Sequence, residues 1–267
     1  MKIKFKLIYF ACTFSIVVML SSCEEVYVPP VLNNAQQFVV EGFIEHGVGA
    51  NPTYVMVTKS IPFTSRIDAT ALGNLFVKDA VVTVKDGATS VNLTQLCLEQ
   101  LPPDIRRRAA QALGLNGDSL GVNICVYIDI LNQLSPRIGG KYDLEVQIGN
   151  LTLTSSTTIP PHVPIDSVRW SDPPGEPSDT LARLWVSVSD RPERDYYRYM
   201  TDASGSGLIA PFASVTDDAF FNGMSFEFPL TKAERRGQGN FDPNTAGLFM
   251  RGDSITIKWM NLDKEHF

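Results

Sequence analysis

Lys141-Tyr142-Asp143-Leu144-Glu145-Val146-Gln147-Ile148, then Gly149-Asn150, then Leu151 to Ile159, reads as a β-hairpin. Tyr142, Leu144, Val146 and Ile148 share one face, and Asp143, Glu145 and Gln147 the other, which is the period of two that a half-buried strand requires. Gly149-Asn150 supplies the turn. Upstream, Gln37 to Ile44, Thr53 to Lys59 and Ala80 to Lys85 are rich in Val, Phe, Tyr and Thr, and Asp86-Gly87 is a second hairpin-type turn signal. The chain is therefore expected to be mainly β, opening with a β-sandwich of immunoglobulin-like or transthyretin-like style over residues 35–160.

The pattern changes between Cys97 and Cys125. Pro102-Pro103-Asp104 opens a segment with Ile105, Ala109, Ala112 and Leu113 at near-helical spacing, and Gly114 stands where a helix would stop. A short helical insertion is expected at about 98–124. Arg106, Arg107 and Arg108 occupy successive helix positions and so point in different directions, as a solvated face does rather than an anion clamp. Downstream, Pro160-Pro161-His162-Val163-Pro164 blocks both helix and central strand and marks a boundary. Beyond it, Arg183 to Val188, Tyr196 to Thr201, Ser225 to Leu230 and Ser254 to Met260 read as strands of a second β-rich domain over 165–267.

The N-terminus carries an address. Lys2, Lys4 and Lys6 precede an apolar run from Leu7 to Met19 and then Leu20-Ser21-Ser22-Cys23. A basic start, a short apolar stretch and small residues before a cysteine describe a lipoprotein signal peptide, residues 1–22, too short to span a bilayer comfortably. Cleavage would leave Cys23 as the first residue, its thiol and new amine both open to acylation, which meets the need of stable anchoring for more than one chain. Residues 23–34, with Glu24, Glu25 and Pro29-Pro30, then form a tether. Removal of the signal leaves 245 of 267 residues, enough for one large domain or two ordinary ones, and takes the formal charge from −6 to −9 with the loss of three lysines. Nucleic acid is a poor partner for such a chain, because phosphate binding needs basic patches. Of the four cysteines, Cys12 leaves with the signal and Cys23 takes the lipid. Cys97 and Cys125 remain in an exported, oxidising setting, which favours a disulfide over two buried thiols.

Several stretches together resemble one family: Cys23-Glu24-Glu25, Phe38-Val39-Val40-Glu41-Gly42, Ile159 to Val168, Asp195-Tyr196-Tyr197-Arg198-Tyr199, Asp217 to Gly223 and Gly252 to Ile257. In this order they are similar to the domain-of-unknown-function 4249 family of Bacteroidota lipoproteins. The resemblance implies an outer-membrane lipoprotein facing outward, with Glu24 and Glu25 matching the surface-export signal of such bacteria. It also implies company with TonB-dependent receptors, and it carries over no catalytic residue. Members of the family usually continue beyond the segment ending at Phe267. The resemblance therefore implies that the final strands are missing here, or that the second domain folds differently or needs a partner.

Sites were weighed against plainer readings. His46, His162 and His266 lack the paired spacing of zinc ligands, and no metal site or cofactor is expected. Asp217, Asp218, Asp242 and Asn244 are oxygen ligands of the kind calcium uses, but their spacing fits no known loop. Ser204-Gly205-Ser206-Gly207 reads as a flexible turn, and Arg251-Gly252-Asp253 as a turn before a strand. Trp170, Trp185, Tyr196, Tyr197, Tyr199, Phe220 and Phe221 could stack on a sugar or form core. Trp170, Tyr197 and Tyr199 are the ligand-binding candidates among them. The expected function is non-enzymatic: a surface lipoprotein accessory to a TonB-dependent receptor in nutrient capture, or alternatively a stand-alone glycan- or peptide-binding lipoprotein.

Overall fold

The structure, a computed structural model, describes residues 36–61, 68–112, 122–205, 207–234 and 242–267. The signal peptide, the tether with Cys23, Glu24 and Glu25, and the helix stop at Gly114 lie outside the described residues. The first half of the chain runs β1 (Phe38–Phe43), β2 (Tyr54–Lys59), α1 (Ala69–Gly73), β3 (Val81–Asp86), β4 (Thr89–Asn92), β5 (Thr94–Cys97), α2 (Pro103–Ala112), β6 (Cys125–Ile128), β7 (Lys141–Ile148) and β8 (Leu151–Thr158). The second half runs β9 (Ile165–Ser171), β10 (Leu181–Ser189), β11 (Tyr196–Ala203), β12 (Val215–Asp217), β13 (Ser225–Leu230), β14 (Phe249–Met250) and β15 (Ile255–Leu262). The fold is mainly β, every strand pair is antiparallel, and no sheet closes into a barrel.

In the first half, sheet β1-β2-β6-β5 faces sheet β4-β3-β7-β8. Val55 and Val57 of β2, Val82 and Val84 of β3, Tyr127 of β6, and Tyr142 and Val146 of β7 share one buried core. This is the sandwich that the alternation in β7 requires: Tyr142 and Val146 point in, while Asp143 and Glu145 stay out of the core. Gly149 has φ +57°, a left-handed conformation that glycine adopts without a Cβ clash, and it closes the β7–β8 hairpin in full register from Lys141↔Thr158 to Ile148↔Leu151. The Tyr127 hydroxyl crosses the core to donate to Val77 C=O at 3.0 Å and accept from Ala80 N–H at 2.9 Å.

The insertion between β5 and β6 is tied at its base by the Cys97–Cys125 disulfide, a directly opposed cross-strand pair. Leu98, Ile124 and Val126, with Ala109 of α2, Tyr54 and Met56, form a second cluster on the other side of the β1-β2-β6-β5 sheet. The expected helix forms within that insertion and lies over the sheet's outward apolar residues. Arg106 departs from the expected solvated face, since its guanidinium donates to Glu99 C=O at 3.0 Å and Leu101 C=O at 3.1 Å.

In the second half, β10 is central, flanked by β9, β13 and β14, and it faces the three-stranded sheet β12-β11-β15. Leu184, Val186, Tyr199, Leu230 and Phe249 form one buried cluster, and Val163, Val188, Tyr197 and Phe221 another. The Pro160–Pro164 segment is pinned down: Val163 is buried, its N–H donates to Asn261 Oδ1 at 3.0 Å and its C=O accepts from Trp259 Nε1 at 2.9 Å. The halves also meet through Lys258 and Glu45 at 2.7 Å, Thr157 and Asp263, and His266 Nε2 at 3.1 Å from Gly42 C=O. Among the described residues, no helix is long and apolar enough to cross a membrane.

Candidate functional site

The densest set of charged side chains sits where the β10–β11 loop, Asp190-Arg191-Pro192-Glu193-Arg194-Asp195, meets the turn after β12. The loop reverses the chain, so its carboxylates converge on the turn's backbone. Asp218 is fully buried, and its Oδ2 accepts from Asp195 N–H at 2.7 Å. Asp195 is also buried and takes a two-pronged bond from Arg191, Nε to Oδ2 at 3.0 Å and Nη2 to Oδ1 at 2.6 Å. Asp190 Oδ2 accepts from Gly223 N–H at 2.9 Å, and its Oδ1 accepts from the Tyr197 hydroxyl. Arg194 pairs with Asp217, and its Nε lies 3.1 Å from Asp218 Oδ1 without the alignment of a hydrogen bond.

Burial, the bond to Asp190 and the charges of Asp195, Asp190 and Asp218 together hold the Tyr197 phenol far above its ordinary range, so it stays a donor. One ligand oxygen from each of Asp190, Asp195 and Asp218 lies within 4.8 Å of the others, a set that hard divalent cations use. Five of their six carboxylate oxygens, however, accept a hydrogen bond from the chain, and the sixth, Asp218 Oδ1, lies beside the Arg194 guanidinium. A cation here would have to displace those partners. The arrangement acts as a clamp that fastens the β10–β11 loop to the turn over Asp218–Met224.

Of the ligand candidates, Tyr197 and Tyr199 are buried and offer no ring face to solvent. Tyr197 stacks between Trp259 at 5.0 Å and Phe221 at 6.1 Å, and the Tyr199 hydroxyl lies 2.9 Å from Thr231 Oγ1. Both belong to the core, because β11 packs this face against β10. Trp170 differs: it is 48% exposed, with its ring edge-on to Phe249 at 5.7 Å between ring centres. The three therefore do not form one platform. Phe220 projects into solvent beside buried Phe221, and Trp185 lies under Arg169 at 4.8 Å.

The calcium candidates divide in the same way. Asp217 and Asp218 join the clamp, whereas Asp242 and Asn244 bond each other in a turn at 2.9 Å. Arg251-Gly252-Asp253 is a turn, with Gly252 at φ +95° and Arg251 paired to Asp172 at 2.6 Å. A further pattern, Gly117-Asp118-Ser119-Leu120-Gly121, has the spacing of a hydrolase nucleophile elbow and lies outside the described residues. A shallow, open depression of about 500 Å³ lies over β7 and β8, lined by Lys85, Asp143, Glu145, Thr154 and Ser156 among others.

Reading along the sequence does not find the clamp, although six charged or turn-forming residues between two strands are a local sign of it. Asp218, which completes it, comes 23 residues after Asp195.

The chain is thus a mainly β, antiparallel protein with a disulfide-tied insertion and a buried aspartate–arginine clamp. It belongs to the family described as "Domain of unknown function (DUF4249)", which it matches over residues 24–267. No curated protein and no solved structure matches the chain.

Proposed function

We propose that the protein is a surface-exposed outer-membrane lipoprotein that acts, without catalysis, as an accessory to a TonB-dependent receptor in nutrient capture or uptake. The observation that carries this reading is the Lys2 to Cys23 export and lipidation pattern, followed by Glu24-Glu25. Family membership supports it. So do single exposed apolar side chains on the two strands either side of β10, Val168 and Trp170 of β9 and Phe226 of β13. Large exposed apolar groups of this kind suit protein docking. The acyl chains would confine the protein to the membrane plane and raise its concentration near a receptor.

The test is a pull-down of the tagged, lipidated protein from native outer membranes, with Cys23→Ala as control. Enrichment of a TonB-dependent barrel by the lipidated bait alone supports the reading; bait that reaches the outer membrane and returns alone overturns it. A second reading, stand-alone binding of a glycan or peptide, is favoured by one observation, the half-open indole of Trp170. It expects direct binding by the purified chain, lost in Trp170→Ala.

A further inference from the structure

A sheet edge left bare is a row of unpaired backbone donors and acceptors, and proteins blunt such edges with charge, proline, bulges, short strands or cover. The long edge strands of this chain carry such devices, with one exception. β1 contains Glu41 and has its Gly42 carbonyl beside His266. β9 carries Asp166 and Arg169, and its register with β10 breaks between Ser187 and Val188. β13 holds Glu227 and Pro229, and β15 holds Lys258, with Trp259 and Asn261 turned to Val163. β4, β5, β12 and β14 span four residues or fewer.

β8, Leu151-Thr152-Leu153-Thr154-Ser155-Ser156-Thr157-Thr158, is the exception. It has eight residues, no charge, no proline and no bulge, and it pairs with β7 without a break. Every second residue of an antiparallel edge strand turns its N–H and C=O away from its neighbour. Among the described residues none bonds to those outward groups of β8. Thr157 Oγ1 does reach Asp263, but from the side chain on the core face. Leu151, on that same face at the open end, is 43% exposed.

We propose that the outer edge of β8 is a homotypic docking edge, on which β8 of a second copy pairs antiparallel to join two four-stranded sheets into one. The strand's chemistry selects a copy of itself. Hydroxyl groups donate and accept, so a Ser/Thr row is complementary to its own two-fold image, and Thr–Thr and Thr–Ser cross-strand pairs are favourable. With the axis at Thr154, Thr152 meets Ser156 of the second copy and Thr154 meets Thr154, all on the solvent face. On the core face Leu153 meets Ser155, and the seam ends where Asn150 of the turn falls opposite Thr158.

The charges nearest the seam do not oppose it. Glu145, paired to Thr154 in β7, would stand three strand spacings from its image, about 14 Å. That exceeds the screening length of about 8–10 Å, and each Glu145 is already paired to Lys85 at 2.8 Å. Size sets the strength. An eight-residue strand offers an edge about 27 Å long and ~10 Å thick, well below the roughly 800 Å² per partner of a stable complex. The pair is thus weak in dilute solution and is favoured where copies are concentrated.

Cysteine trapping reads such an association directly, because opposed residues across an antiparallel pair have Cα atoms about 4.5–5.5 Å apart, inside the range a disulfide spans. Thr154→Cys, which faces its own image across the axis, and the double variant Thr152→Cys/Ser156→Cys, in which each new cysteine faces the image of the other, are introduced into the full chain, purified in detergent and oxidised mildly. Ser90→Cys on β4, the opposite edge of the same sheet, is the control, and the unsubstituted chain reports any thiol left at Cys12 or Cys23. A covalent dimer is expected from at least one β8 variant, at least tenfold faster than from Ser90→Cys. Adding Thr154→Lys to Thr152→Cys/Ser156→Cys should slow it at least tenfold with the Cys97–Cys125 bond and the β circular dichroism intact. Failure of both β8 variants to dimerise, dimerisation from Ser90→Cys at the same rate, or indifference to Thr154→Lys overturns the proposal.

Discussion

Replacing Asp218 with alanine is expected to destabilise the protein by about 3 kcal/mol, and the clamp geometry sets that figure. Asp218 is fully buried and accepts the Asp195 N–H at 2.7 Å, so its loss leaves a buried donor without an acceptor, which costs about 1–3 kcal/mol. Arg194 loses the 3.1 Å approach to Asp218 Oδ1 but keeps Asp217; it is about half exposed, so solvent screening leaves this part small beside the lost acceptor. For a chain of this size the sum corresponds to a fall in melting temperature of roughly 6–12 °C. Asp218→Asn retains an amide oxygen for the Asp195 N–H and gives up the charge alone, and should cost about 1 kcal/mol. The assay is urea unfolding followed by tryptophan fluorescence, with Trp259 stacked on Tyr197 as a reporter close to the clamp. Alanine within about 0.5 kcal/mol of the native protein, or asparagine as damaging as alanine, would refute the view that a specific acceptor for Asp195 N–H holds this corner.

Other perturbations test separate parts of the fold. Millimolar calcium or excess chelator should leave the melting temperature within about 1 °C, because five of the six oxygens of Asp190, Asp195 and Asp218 accept hydrogen bonds and Arg194 lies beside the sixth; a rise of several degrees that Asp190→Asn abolishes would establish a bound cation. The Cys97→Ala/Cys125→Ala pair should lose roughly 3–4 kcal/mol for a sequence separation of 28, read as a lower urea midpoint that reductant no longer changes. Gly140→Ala should lose about 1–3 kcal/mol, since a Cβ there would meet the Tyr142 hydroxyl oxygen at 2.6 Å and Arg137 C=O at 2.9 Å; adding Tyr142→Phe should recover part of that in a double-mutant cycle. Burial, with Glu45 and Glu41 nearby, pushes the Tyr54 phenol up to about 12. Between about pH 10 and 12 the unfolded chain therefore binds fewer protons than the native one. Stability falls as pH rises through that window, and Tyr54→Phe should flatten the fall.

The strands that alternation located are those with one buried face. In β7, Tyr142 and Val146 are core and Asp143 is exposed, so a period of two in sequence maps onto a period of two in burial. β9 escaped that reading because five of its seven residues are exposed, on both faces, and an edge strand with neither side covered leaves no periodic trace. β4, β5 and β6 have four residues each, too few for alternation to rise above chance. The insertion helix was legible from Pro102-Pro103-Asp104 and its alanines, because capping chemistry is local.

Exposure is the quantity that pattern alone leaves open. Spacing in Tyr197 and Tyr199 places both rings on one face of β11, but whether that face meets water or a second sheet depends on β10, which no spacing within β11 encodes. The clamp follows the same logic at longer range: Asp195 and Asp218 are ordinary turn residues until the β10–β11 loop and the turn after β12 close on each other. β8 is the converse case. Its open edge was in plain view as Leu151 to Thr158, an alternating strand with too few apolar residues to be central and no charge to guard it. Its meaning emerged only when the register with β7 showed which side was bare, and the other long edges showed how this protein protects its strands elsewhere.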